Sequence, residues 1–385
     1  MASPISEKLF PEISRDIEAF GKGILPAQKI RALRDGGAIA ARAPIRDELV
    51  QPASLDLRLG SVAYRVQASF LPGRGSAVEE KIRDWKFSEL DLTRPTVLER
   101  GCIYVVPLLE ELRLPEGLSA RANPKSTTGR LDIFVRLIAD KCPEFDRVPD
   151  GYHGKIYAEI APRTFTILVQ EGMRLNQLRF VSGNAGIPDE QLRELDKTRN
   201  LVWKENAPVP ATIDAGLLVS VDLEGLHGSA LVGWRARRNT PVIDLRKIDH
   251  YDPADYWDPI HPPRNRSIVL NPDDFYILAS KEKVSIPPDR AAEMIAYDPS
   301  IGEFRIHYAG FFDPGFGFSE DGLKGTPAVL EVRSHDVPFI IEDGQIVGRL
   351  VYERMLAPPD KIYGPAIGSS YQAQGLTLSK QFKRP

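Results

Sequence analysis

Asn123-Pro124-Lys125-Ser126-Thr127-Thr128-Gly129-Arg130 places two cations, three hydroxyls and a glycine in one short stretch. Lys125 and Arg130 supply positive charge, Ser126, Thr127 and Thr128 supply hydroxyls, and Gly129 allows close backbone approach. That combination suits a phosphate chain. It is not a Walker loop, because the two glycine positions before the lysine fall on Ser119 and Pro124. A second reactive position is Glu331 in Ala328-Val329-Leu330-Glu331-Val332, a carboxylate among apolar neighbours. Such a group has a raised pKa if buried, which suits proton transfer; an alternating strand would instead turn it to solvent. Glu159 occupies the matching place in the first half. Upstream of Glu331, His307 to Gly317 reads as a strand, a turn and a glycine-rich bend, and Tyr363 to Gly375 as a polar, aromatic tail with the composition of a flap.

The elements that must position these residues belong to a chain of 385 residues, long enough for two domains. Its net charge of −3 marks neither a nucleic-acid binder nor a membrane-surface protein, so an anionic substrate needs local cations. The two cysteines, Cys102 and Cys142, form no C-x-x-C pair and no disulfide framework, and a reducing cytoplasm is the simplest reading. The six histidines are scattered, and no H-x-E with a downstream P-C-x-x-C appears, so a zinc deaminase site is not supported. No long apolar run suggests a signal peptide or membrane span.

The 32 prolines and 30 glycines predict short strands and turns. Residues 1–50 read as helix and coil, with one helix at Ser14–Phe20 and another at Pro26–Arg34. Ser54–Leu59 alternates as a half-buried strand. Further strands are expected at Val62–Val66, Glu89–Leu92, Cys102–Val106, Ile133–Ile138, Gly154–Ile160, Phe165–Val169 and Asn176–Phe180. Residues 183–207 read as a linker with one charged helix that has no apolar stripe wide enough for a core. Many short strands between turn signals predict a sandwich or barrel.

After Pro208 the pattern begins again. Leu112-Arg113-Leu114-Pro115 matches Val284-Ser285-Ile286-Pro287, Gly172–Leu175 matches Gly344–Val347, and Leu178–Phe180 matches Leu350–Tyr352, all at an offset of 172 residues. Glu89–Leu92 has a looser counterpart at Val242–Leu245. This predicts a duplicated β unit, with domains at 51–182 and 208–362, the segment 1–50 before them, the linker 183–207 between them and a tail at 363–385. The duplication is unequal. Where the first half has Lys125 to Arg130, the second has Ala296 to Gly302, without the cations and the hydroxyl run.

These residues together resemble the dCTP deaminases of the trimeric dUTPase-like superfamily, in the long duplicated bacterial form. The likeness rests on Pro52–Gly60, on Lys125 to Arg130 (usually R-S-S-x-x-R), on Asp313-Pro314-Gly315 followed by Val329-Leu330-Glu331, and on Tyr363, Tyr371 and Gln374 at the spacing of a C-terminal Tyr…Tyr-x-x-Gln tail. The resemblance implies an all-β fold, a tandem pair of distorted antiparallel β-barrels with a few short helices, with active sites between units in a homo-oligomer. It implies zinc-free deamination of dCTP to dUTP and ammonia, with Mg²⁺ carried by the triphosphate. Glu331 becomes the general acid/base, with Glu159 its alternative, and Ser126 and Arg130 join it as catalytic residues. Lys125, Thr127, Ala309, Asp313, Val329, Leu330, Tyr363, Tyr371 and Gln374 become the substrate contacts. Three departures stand out: Lys125 replaces the first arginine, Ser370 stands at the tail lysine, and Phe318 to Lys324 lengthen the turn after Asp313-Pro314-Gly315. With the phosphate motif in one repeat and the remaining motifs in the other, the expected site is a composite of the two. A dUTP diphosphatase, a bifunctional enzyme and a non-catalytic nucleotide sensor remain as alternative readings.

Overall fold

A computed structural model describes residues 21–225, 230–296, 304–307, 310–318, 324–334, 336–364 and 375–384. The first unit carries β1 (Gly23–Ile24), β2 (Ile39–Ala41), β3 (Leu55–Arg58), β4 (Val62–Val66), β5 (Lys86–Asp91) and β6 (Thr96–Leu98). It continues through β7 (Ile103–Arg113), β8 (Leu118–Pro124), β9 (Ile133–Ala139), β10 (Arg147–Val148), β11 (His153–Pro162), β12 (Ile167–Val169) and β13 (Arg174–Ser182). Its helices are short: α1 (Ala27–Asp35), α2 (Val78–Trp85) and α3 (Ser126–Gly129).

After α4 (Asp189–Arg199) the second half forms β14 (Val202–Lys204), β15 (Ala207–Val209), β16 (Leu217–Ser220), β17 (Gly233–Ala236) and β18 (Ile243–Asp244). Then come α5 (Pro253–Tyr256), β19 (Trp257–Ile260), β20 (Ser267–Leu270), β21 (Phe275–Val284), β22 (Arg290–Ala296) and β23 (Phe304–His307). The last strands are β24 (Phe311–Phe312), β25 (Thr326–Ser334), β26 (Phe339–Glu342) and β27 (Ile346–Arg354).

The fold is all-β and dUTPase-like, and the pairings repeat. β8 pairs with β13 in the first unit as β22 pairs with β27 in the second, and the β7–β11–β9 order recurs as β21–β25–β23. β6 with β12 recurs as β20 with β26. The offset seen in the sequence is therefore carried by paired strands, which fix side-chain facing along with spacing. The counterpart of β5 is β19, which pairs with β17 as β5 pairs with β4. Val242–Leu245 does something else: Ile243 and Asp244 lie parallel to β12 of the first unit. That pair departs from the antiparallel expectation.

Several local expectations change in the structure. Leu55 to Arg58 is buried on both faces, because Asp56 and Arg58 lie inside with their partners. Arg58 Nε donates to the buried Glu110 Oε1 at 2.7 Å, so charge pairing replaces solvent on the polar face. Residues 21–50 are more than a leader, since β1 pairs with β13 and β2 with β7. The helix expected at Pro26–Arg34 is α1, while Ser14–Phe20 lies outside the described residues. In the linker, Leu192 of α4 is buried in the second core, and β14 extends the second unit's sheet through β21. The end of the tail folds back, with Leu378 and Phe382 buried in the larger core.

That core crosses between the halves. It joins first-unit residues such as Phe165 and Ile167 to Ala236, Tyr256, Trp257 and Phe275. Phe165 meets Trp257 edge-on with ring centroids 5.4 Å apart, and Tyr256 meets Phe382 at 5.4 Å. Such aromatic burial dominates local packing energy.

Candidate active site

Lys125 to Arg130 folds as one turn of helix, α3, beginning at Ser126. Three contacts hold it. Lys125 N donates to Leu175 O at 2.9 Å, Thr128 Oγ1 donates to Leu175 O at 2.8 Å, and Ser379 Oγ donates to Thr127 O at 3.0 Å. The phosphate-motif turn is thus clamped between β13 and the C-terminal segment.

From the second unit, β25 presents Val329 and Glu331 on one face and Leu330 on the other, as strand alternation requires. Val329 and Glu331 line a cleft with Lys125, Ser126, Arg130 and Asp313. The two halves of the expected composite site therefore meet. Tyr363 lines the same cleft, with its ring 5.5 Å from that of Phe316 and its N–H donating to Pro314 O at 2.7 Å. The bend that delivers Asp313 depends on glycine. Gly317 has φ +64°, and a Cβ there would meet Val284 O at 2.1 Å.

Glu331 is 7% exposed, and burial pushes its carboxyl up to about 8. The Arg130 charge pulls it down and Asp132 pushes it up. Arg130, itself buried, donates from Nη1 to Thr377 O at 2.7 Å, which orients the guanidinium. Two residues beyond each of these groups a second contact locks them together. Asp132, fully buried, accepts from Arg333 Nε at 3.1 Å, and Thr164 and the Arg333 Nη2 complete the group. Arg333 lies two residues past Glu331 on the same strand face, so this pair fixes β25 against the α3 turn.

Asp313 is also buried, and burial raises its pKa while Arg179 lowers it. Arg179, a fully buried residue of β13, donates from Nη2 to Asp313 Oδ1 and from Nη1 to Glu353 Oε2, both at 3.2 Å. Its guanidinium lies 4.0 Å from the ring centroid of Phe311.

Two of the expected site residues, Glu159 and Leu330, do not line the cleft. Glu159 lies outside the cleft: it is buried against Arg136, whose Nε donates to Oε1 at 3.0 Å while the guanidinium packs 3.5 Å from the Phe145 ring centroid. The neighbouring strand β9 supplies that partner. The Leu330 side chain faces away from the cleft into the second core. Thr127 lines an adjoining groove. Ala309, Tyr371, Gln374 and Ser370 lie outside the described residues. Met294, Phe311, Phe312 and Phe316 line the cleft without having been singled out. The aromatic density of Phe311-Phe312-Asp313-Pro314-Gly315-Phe316 is the signal that marks three of them.

Two family profiles cover most of the chain. Residues 21–184 match "2'-deoxycytidine 5'-triphosphate deaminase (DCD) N-terminal domain" and residues 188–382 match the C-terminal domain of the same family. The chain belongs to the dCTP deaminase family. A crystal structure of 2'-deoxycytidine 5'-triphosphate deaminase from Agrobacterium tumefaciens is 50% identical and superposes with a TM-score of 0.83, covering 87% of this chain and 99% of that one. A "dCTP deaminase, dUMP-forming" from Nocardia farcinica is 31% identical over 45% of this chain and 88% of its own length. A "dCTP deaminase" from Haloarcula marismortui is 28% identical over 40% of this chain and 77% of its own. These last two dCTP deaminases correspond in length to about half of the duplicated chain.

Proposed function

We propose that this protein hydrolyses dCTP to dUTP and ammonia without zinc, using a site made from both units, and so supplies dUTP for thymidine nucleotide synthesis. The observation that carries the proposal is that Glu331 of the second unit and the Ser126–Arg130 turn of the first line one cleft. The groups that line the cleft with Glu331 include a guanidinium, an ammonium and a hydroxyl.

In this reading Glu331, once ionised, takes a proton from the water that attacks C4 of the cytosine ring. The C4–O bond forms as the C4–N3 π pair moves onto N3, and the ring gains a tetrahedral carbon. Glu331 then returns a proton to the amine, the C4–N bond breaks and ammonia leaves, while the hydroxyl proton passes to N3 as the C4 carbonyl forms. Arg130 favours the ionised carboxylate, and Ser126 holds the attacking water. Lys125 and the α3 turn take the phosphate chain, with Mg²⁺ arriving as part of the substrate. Asp313, Val329 and Tyr363 form the nucleoside pocket, with Tyr371 and Gln374 as further substrate contacts. The protein acts in the cytoplasm as a homo-oligomer.

The test is ammonia release from dCTP, CTP, dCMP and dUTP. Release from dCTP is expected, with Ser126→Ala and Glu331→Gln each lowering kcat by roughly 10²–10⁴-fold. Activity that survives in Glu331→Gln and disappears in Glu159→Gln would move the site into the first unit. The likeness to the dUMP-forming dCTP deaminase of Nocardia farcinica favours a second reading, in which dUTP continues to dUMP. Pyrophosphate appearing with the ammonia would establish it.

A further inference from the structure

The bend that turns Asp313 into the cleft has little of its own to fix it. β24 is two residues long and meets β22 through Ala292↔Phe312 and Glu293↔Phe311. Behind it, in the interface between the units, lies Arg179 of β13, which is 0% exposed and outside the lining of the cleft. Its guanidinium crosses to the second unit. Nη1 donates to Ala292 O at 3.0 Å and to Glu353 Oε2 at 3.2 Å. Nη2 donates to Phe312 O at 3.4 Å and to Asp313 Oδ1 at 3.2 Å. The group therefore bridges both strands of the β22–β24 pair and ends on a carboxyl that lines the cleft. The Phe311 ring, which also lines the cleft, has its centroid 4.0 Å from the same guanidinium.

Joining the units does not account for all of these contacts. Glu353 is also met by Arg121 Nη2, so its charge has a partner apart from Arg179. Nor does the barrel itself need an arginine here, because the second unit has Val351 at the 172-residue offset. What remains is the Nη2 arm. A guanidinium presents its donors as a rigid fork, so anchoring Nη1 on Ala292 and Glu353 fixes where Nη2 points. Asp313 is thus held before a ligand arrives, and a group ordered in advance binds without the cost of ordering it.

We propose that Arg179 is a positioning residue of the site: from the first unit it fixes the Asp313 carboxyl and the Phe311 ring that the second unit turns towards the nucleoside. Affinity for the nucleoside then depends on a side chain the substrate never touches. The proposal rests on the dCTP reading above. Glu331 acts at C4 in that reading, whereas Asp313 holds the nucleoside equally in ground and transition states. Arg179 therefore acts on KM more than on kcat.

The experiment uses the full-length protein with Arg179→Met, Asp313→Asn, both together, and Arg121→Met as the control that loses an interface cation without losing the arm to Asp313. Steady-state deamination of dCTP is measured beside calorimetric binding of dCTP and urea unfolding. Arg179→Met is expected to raise KM about tenfold with kcat within about threefold. Asp313→Asn should raise KM at least as much, and the double variant should lie within about twofold of the larger single effect, because both changes remove one interaction. Arg121→Met should lose stability in urea yet keep KM within about twofold. Additive effects in the double variant, a loss confined to kcat, or an equal rise of KM in Arg121→Met would overturn the proposal. Should Arg179→Met give no cooperative urea transition, the same cycle is run with Arg179→Lys, whose single ammonium cannot serve Glu353 and Asp313 together. Wild-type protein that releases no ammonia from dCTP would end the deaminase reading by itself. The dCTP dissociation constants of the variants then decide the role of Arg179, and wild-type protein that does not bind dCTP would overturn it as well.

Discussion

At the scale of single residues, Glu331 carries the most consequence. Its carboxyl titrates near 8 in the folded protein because burial disfavours its charge, against 4.5 for an ordinary glutamate. The folded state therefore holds the proton more tightly than the unfolded chain. The resulting stabilisation is complete below about pH 4.5 and is lost as pH rises through about 8, on the order of 4–5 kcal/mol in all. Glutamine cannot ionise, so Glu331→Gln should gain stability over wild type as pH rises from 5 to 9. Urea unfolding at both pH values checks this, and a pH-independent difference would show that Glu331 is solvated in the folded protein. In activity, kcat/KM for dCTP should rise with pH around a midpoint near 8, since the free enzyme must first ionise its base. Glu331 was visible in the sequence because a carboxylate among apolar residues is chemically odd wherever it falls. Arg179 was not. It sits in an ordinary strand and acquires its role from partners far away in the chain.

At the scale of elements, the Asp132–Arg333 pair ties β25 to the α3 turn and so sets the distance between Glu331 and Arg130. Removing one partner leaves a buried charge alone, which costs roughly 3–5 kcal/mol. Arg333→Met should show that loss in urea unfolding, and kcat for dCTP should fall with it even though Arg333 lines no part of the cleft. The double variant Asp132→Asn/Arg333→Met should recover much of the stability and little of the rate. Full recovery of rate would mean that the pair only stabilises. The strands themselves were largely legible, since alternation and turn residues mark β4, β7, β9, β11 and β13 well. Three features were not. The burial of both faces of β3 depends on Glu110, 52 residues from Arg58. The phosphate motif reads as a loop because a single helical turn has too few residues to show a period. Val242–Leu245 has the apolar pattern of a repeat strand, yet it pairs with the other unit.

At the scale of the whole chain, two pseudo-equivalent units do different work, and the contacts between them explain why neither is spare. Arg121 and Arg179, directly opposite one another on β8 and β13, would repel across one sheet. Glu293 and Glu353 of the second unit neutralise them, with Arg121 Nη1 donating to Glu293 Oε2 at 2.8 Å. The same Arg179 steadies Asp313, so the surface that joins the units also shapes the cleft. The hydrophobic core follows the same logic, because the second half lends Tyr256, Trp257 and Phe275 and the tail lends Leu378 and Phe382 to a core otherwise built by the first unit. Each large side chain withdrawn from such a core costs roughly 3–5 kcal/mol, and several together exceed the 5–15 kcal/mol by which a domain is ordinarily stable. Residues 21–184 expressed alone should therefore fail to form a cooperative fold, with retained far-ultraviolet but lost near-ultraviolet dichroism and no sharp thermal transition. The full chain should unfold in one calorimetric transition. A sharply melting, tightly packed 21–184 fragment would show that the borrowed side chains only cover a core the first unit can complete by itself.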